Sequence, residues 1–264
     1  MQAETAPELD WRDSASYAPL LDADRSLFAW EWLRRDSSYC AAAGRALPGC
    51  VGERRYDPAA AAFGLVGFEP PHLRVPHARP LWRRELLAQV LPAGHGGTRG
   101  ADDLFLFERL REVAVLLTGS DTEHLLLSDG LRAVRLDGPP GLFSRGPQCL
   151  RYRVEGLAAA EPRLLTLQRF LMLCRTGRFG RSLHPREPRA RRWVLMLRAW
   201  DALVSGADQR RIAMELLGRS AGEPRWRSRE PSLRSQAQRL VRSARILAGG
   251  GYRALLRSDC NLSA

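Results

Sequence analysis

From Pro162 to the C-terminal region the sequence changes to a helical period, and that change constrains the fold more than any other feature of the chain. Leu164, Leu165, Leu167, Phe170, Leu171 and Leu173 form a strongly apolar segment, with Pro162 suited to a first helical position and Gly177 near the stop. A second helix is expected from about Arg189 to Val204, where Trp193, Leu197, Trp200 and Val204 recur at helical spacing. Trp193 and Trp200 resemble a stacking pair for bases, but at that spacing a place in the core is the better reading. Gly206-Ala207-Asp208 then ends this helix and starts a short one. Asp208 is its N-cap, and Ile212, Ala213, Leu216 and Leu217 face inward before Gly218.

The last helix begins near Pro231 or Ser232. At about 100° per residue, Leu233, Ala237, Leu240, Val241, Ala244 and Leu247 occupy one arc of about 120°. The opposite side holds Arg234, Ser235, Gln238, Arg239, Arg242 and Arg245. Arginine makes bidentate contacts with guanine and glutamine with adenine, while serine bonds to base edges or phosphates. A lone helix of this kind would be an ordinary solvated surface. Preceded by a short helix with a small residue at Ala213, it reads as the recognition helix, about 232–248, of a helix-turn-helix, with Ser232 at its start. The connection before it carries Arg225, Arg227 and Arg229 and exceeds a tight turn, so these three are assigned to a phosphate-contacting wing or loop.

The charge distribution supports this reading. Residues 1–150 hold 17 arginines against 20 acidic residues, a formal −3, whereas residues 151–264 hold 24 against 9, a formal +15. A GC-rich genome would raise arginine everywhere and does not account for the split; neutralisation of phosphates does. There is no lysine, which excludes a P-loop lysine, a Schiff-base lysine and a Ser-Lys nucleophile. The five cysteines form no C-x-x-C pair and the five histidines no ligand spacing, so neither a metal nor a cofactor is expected. No convergent acid, base or nucleophile marks an enzyme. No apolar run approaches the ~18–20 residues of a membrane helix, and the first ten residues are acidic rather than signal-like, so the expected location is cytoplasmic with no membrane partner.

Upstream, Trp11 and Tyr17 are aromatic anchors, and Asp24 caps an expected helix with Phe28, Ala29, Trp32 and Leu33 on one face. A second short helix follows through Tyr39, and Gly44 to Asp57 reads as a loop. Residues 63–100, rich in Pro and Gly, read mostly as loops with short extended pieces; the cluster Gly94, Gly96, Gly97 and Gly100 is a plain loop rather than a phosphate cradle. Val113 to Thr118, His124 to Leu127 and Leu131 to Leu136 read as strands, with Ser128-Asp129-Gly130 as a turn. The fold class expected is therefore α+β and predominantly α, with a small antiparallel sheet in the middle. Three parts follow: a helical unit at 1–62, a strand- and loop-rich part at 63–150, and a helical DNA-binding part at 151–264. Trp30 lies about 160° from Trp32 on the helix, which makes Trp30, with Arg34 and Arg35, the candidate protein-interaction surface.

Several runs carry a resemblance. They are Asp10-Trp11-Arg12 through Tyr17, Phe28 to Arg35 with Tyr39, and Leu127 to Gly130. Further along come Leu197 to Ala202, Gln209 to Ala213, and Gly249 to Arg253 with Leu255-Leu256. In these the chain resembles bacterial transcriptional regulator-like proteins that join an N-terminal domain of that name to a larger domain formerly of unknown function. The resemblance implies a helix-turn-helix and an activator of mobile-element excision and transfer, or an antiactivator that binds the activator. Where that family commonly has Ser and Glu, this chain has Asp208 and Arg211, so the reciprocal bond of a capping box is lost. The expected partners are double-stranded DNA and RNA polymerase or a regulatory protein. A homodimer is an open option, and a protein-binding adaptor or antiactivator is the alternative function.

Overall fold

The computed structural model describes residues 10–47, 54–97, 100–218 and 231–257, with backbone alone for Pro231 and Ser232. Six α-helices occur among these residues: α1 (Arg25–Leu33), α2 (Ser37–Ala46), α3 (Leu157–Thr176), α4 (Ala190–Val204), α5 (Gln209–Leu216) and α6 (Pro231–Ala248). Between α2 and α3 run β1 (Leu91–His95), β2 (Leu104–Phe105), β3 (Ala114–Thr118), β4 (Glu123–Ser128), β5 (Ala133–Gly138) and β6 (Gln148–Tyr152).

The six strands form one sheet in the order β2-β6-β1-β5-β4-β3. The meander β3-β4-β5 is antiparallel, as the alternation and the Asp129-Gly130 turn predict. The sheet is nevertheless mixed rather than small and antiparallel, because β1 enters beside β5 in parallel and carries β6 on its other edge. β1 takes in Leu91, Pro92, Gly94 and His95, so part of the stretch expected to be plain loop is paired strand. Its Pro and Gly hide the strand signal in local sequence, and its partners lie far along the chain. One face of the sheet packs Leu125, Leu127, Val134 and Leu136 against Phe170 and Leu173 of α3. Leu126, on the other face, meets Val66 and Leu81 from the irregular segment before β1.

α3 starts at Leu157, before Pro162, with Gly156 at its N-cap. The run Ala158-Ala159-Ala160 favours helix strongly enough to extend the element upstream and leave the proline inside it. The missing amide of Pro162 forfeits one backbone bond there. α4, α5 and α6 start and stop close to the expected positions, and the Asp208 side chain caps α5 by accepting from the Arg211 amide at 2.7 Å.

α1 corrects a sequence expectation. Every residue from Leu27 to Leu33 is buried, Glu31 included, so beyond its first two residues the helix has no solvent face. Trp30 and Trp32 share one hydrophobic cluster despite pointing in different directions. The cluster reaches from Trp11 and Tyr17 through α1 and α2 to Trp193 and Leu197 of α4, Leu240 and Leu247 of α6, and Tyr252 and Leu255 beyond it. Phe28 meets Trp193 edge-on with ring centroids 5.0 Å apart. The N-terminal helices and the C-terminal helices are thus built on the same core.

Candidate DNA-binding face

α6 is fixed by its apolar side, and among the described residues its other side is exposed. Leu233 and Ala237 pack with Ala213 of α5, while Leu240, Val241, Ala244 and Leu247 enter the main cluster beside α4 and α1. Ala213 and Ala237 are both fully buried, so the close approach of α5 to α6 rests on two methyl side chains. These are the six residues that the helical period assigns to the core.

The opposite side of α6 exposes Arg234, Ser235, Gln238, Arg239, Arg242 and Arg245. Among the described residues no carboxylate pairs with any of these four arginines. At about 100° per residue the six span roughly 140° of the helix surface. Ile246 stands within the same sector and is 53% exposed, an apolar group that charge-based reading of the sequence overlooks. Its position in the helical period was the available signal. The polar side therefore offers cationic forks, an amide, a hydroxyl and one branched aliphatic side chain, the repertoire that meets phosphates, base edges and a thymine methyl in a major groove. Arg225, Arg227 and Arg229 lie outside the described residues, as does the side chain of Ser232.

The arginines of the N-terminal helices are used differently. Arg35 grips Asp201 of α4 through Nε at 2.7 Å and Nη2 at 2.8 Å, and its Nη1 bonds to the Glu31 carboxylate at 2.6 Å. Tyr17 donates its hydroxyl to the same Asp201 at 2.6 Å, and burial together with that carboxylate raises the tyrosine pKa. Arg34 bonds to the Pro71 carbonyl at 2.9 Å and to Glu31 at 3.3 Å. The Trp30 indole donates to the Leu73 carbonyl at 2.9 Å and the residue is fully buried. Trp30, Arg34 and Arg35 are consequently interior groups that join α1 to α4 and to the segment before β1, and the surface expected of them is not there. A helix apolar nearly all round belongs inside, and the run Leu27 to Leu33 carried that signal.

Tyr56 stacks on His124, whose Nδ1 lies 2.8 Å from Asp137, and among the described residues no nucleophile is hydrogen-bonded to this pair. Among the described residues no group of three His, Cys, Asp or Glu side chains could hold a metal ion, and no helix is long and apolar enough to cross a membrane.

The protein sets a basic helix face on a helical core that a second helical unit shares. Comparison with known families finds two regulatory domains to which parts of the chain are similar. Residues 155–257 match a T6SS transcription factor DNA-binding domain, and residues 10–65 match a proteobacterial transcriptional regulator-like domain. The match to the regulator-like domain thus precedes the match to the DNA-binding domain, the order that the resemblance in its sequence implies. The DNA-binding match begins at the approach to α3 and ends just after the turn beyond α6, so it takes in the whole basic face. No curated protein and no solved structure matches the chain.

Proposed function

We propose that this protein is a sequence-specific transcriptional activator, acting in the cytoplasm without enzymatic activity, that reads its operator with α6, α5 serving as the first helix of a helix-turn-helix. The observation that carries the proposal is the asymmetry of α6: an apolar side locked into two hydrophobic clusters and a polar side whose four arginines have no carboxylate partner among the described residues. The segment between α5 and α6, residues 217–230, exceeds the three or four residues of the simplest motif.

In this reading Arg234 and Gln238 face bases, while Arg227 and Arg229 meet phosphates. RNA polymerase or a regulatory protein is the second partner, and self-association into a dimer would supply two half-sites. Selection of bound duplexes from a random pool gives a preferred site, and binding to its single-base variants then tests the assignment. Gln238→Ala should flatten the preference at one base pair, a loss of about 1–3 kcal/mol of discrimination. Arg227→Ala should weaken every sequence alike. Uniform weakening by both would remove α6 from base reading, and no selected sequence at all would favour the protein-binding adaptor.

A further inference from the structure

α3 buries one side and leaves an apolar row on another. Thr166, Phe170 and Leu173 are its buried residues, the last two packed against the sheet. Away from the sheet, Leu157, Glu161, Leu164, Gln168, Leu171 and Arg175 recur at alternating spacings of four and three, and all six are exposed among the described residues. At about 100° per residue they fall within a stripe about 80° wide. Leu157 is 100% exposed, Leu164 48% and Leu171 38%, each seven residues after the one before. Single leucines on a surface are ordinary, but a row at this interval over about 27 Å of helix is the kind of seam on which a second helix packs.

The polar members of the row decide which helix fits. Glu161 and Arg175 lie seven residues before and after Gln168, about 10 Å to either side along the axis. Among the described residues neither has an ion-pair partner, and the Arg175 Nε bonds to the Leu171 carbonyl of its own helix at 3.4 Å. A second α3 laid antiparallel, with a two-fold axis at Gln168, sets Glu161 of each chain opposite Arg175 of the other. It also brings Leu164 of each chain within one residue of the level of Leu171 of the other. The two-fold axis repeats every contact, so this one row is complementary to itself. A parallel copy would oppose Glu161 to Glu161 and Arg175 to Arg175, which repels.

We propose that a second copy of this chain docks on this row, the two α3 helices running antiparallel about Gln168. Leu164 and Leu171 form the apolar contact, and the pairs of Glu161 with Arg175 set direction and register. The dimer rests on the operator reading for its role in joining two half-sites, but its test contains no DNA, so its failure leaves the assignment of α6 untouched. Sedimentation equilibrium of the full chain should give twice the 29.5 kDa of one chain. Leu164→Asp combined with Leu171→Asp should give the monomer with the wild-type melt. Glu161→Arg alone sets like charges opposite each other at both ends and should weaken the dimer about fivefold or more. Adding Arg175→Glu to it should restore the affinity, and that rescue cannot arise within one chain because the two positions are about 21 Å apart along the helix. Should the leucine variant fail to fold, the charge variants decide the question, since both residues are exposed. A wild-type monomer at every concentration would overturn the proposal. So would a dimer undiminished in the folded leucine variant, one indifferent to Glu161→Arg, or one that Arg175→Glu does not rescue.

Discussion

Asp201 binds two residues that precede it by 184 and 166 positions, Tyr17 and Arg35, and so ties the N-terminal helices to α4. Replacing it with alanine would leave the Arg35 guanidinium with Glu31 alone and the Tyr17 hydroxyl without its acceptor, both largely out of water. Breaking one side of a buried pair costs about 3–5 kcal/mol, and chemical denaturation of Asp201→Ala should show a loss of that size. A loss under about 1 kcal/mol would mean that the network is solvated and merely decorative. At Gly130 a φ of +97° places the backbone in the left-handed region, and an added Cβ would meet the Pro76 carbonyl oxygen. Gly130→Ala should therefore cost more than the about 1–2 kcal/mol of the conformation alone, read again by denaturation. The turn at Gly130 was legible because its requirement is local. The roles of Arg35 and Asp201 were not, since nothing in the spacing of either residue announces a partner so far along the chain.

Among the elements, α6 was legible to the residue and α1 was not, and the reason is physical. An amphipathic helix carries its orientation in its own period, so six core positions and six polar ones could be separated without knowing what α6 packs on. From Leu27 to Leu33 α1 is covered from all sides, and its period there holds no direction; only the count of apolar residues does. The sheet divides in the same way. β3, β4 and β5 are neighbours in sequence and their alternation shows, whereas β1 and β6 owe their places to pairing across the chain. Two substitutions separate the two sides of α6. Ala237→Leu forces bulk between α5 and α6 and should cost about 1–3 kcal/mol of stability. Arg239→Ala, on the open side, should leave stability within about 0.5 kcal/mol while weakening DNA binding. Equal loss of stability in both would contradict the assigned faces.

At the scale of the whole molecule, the shared core decides what can be cut away. Residues 155–257 taken alone lack Trp11, Tyr17, Phe28, Trp30 and Trp32, all of which belong to the hydrophobic cluster that also contains Trp193 and Leu247. That fragment should lose its near-ultraviolet circular dichroism and its cooperative melt. A sharp transition near that of the full chain would show that the DNA-binding helices fold without the N-terminal ones. Stability should also depend on pH through His184. Burial, aided by Arg169 and Arg132, lowers its pKa from 6.5 to about 4. The unfolded chain takes up this proton first, so stability should fall as pH drops through that window and level off below it. His184→Gln should flatten the decline, as measured by Tm across the window.

The central claim is that the exposed arginines of α6 meet phosphates and bases, and salt dependence of binding tests it most directly. Duplex titrations at rising salt should give a steep fall of log K against log salt, with a slope of about −0.9 for each phosphate neutralised. Replacing Arg234, Arg239, Arg242 and Arg245 together with glutamine, in a variant shown to keep the wild-type melt, should make that slope shallower. A folded variant with the wild-type slope, or a wild-type protein that fails to bind duplex at low salt, would contradict the account.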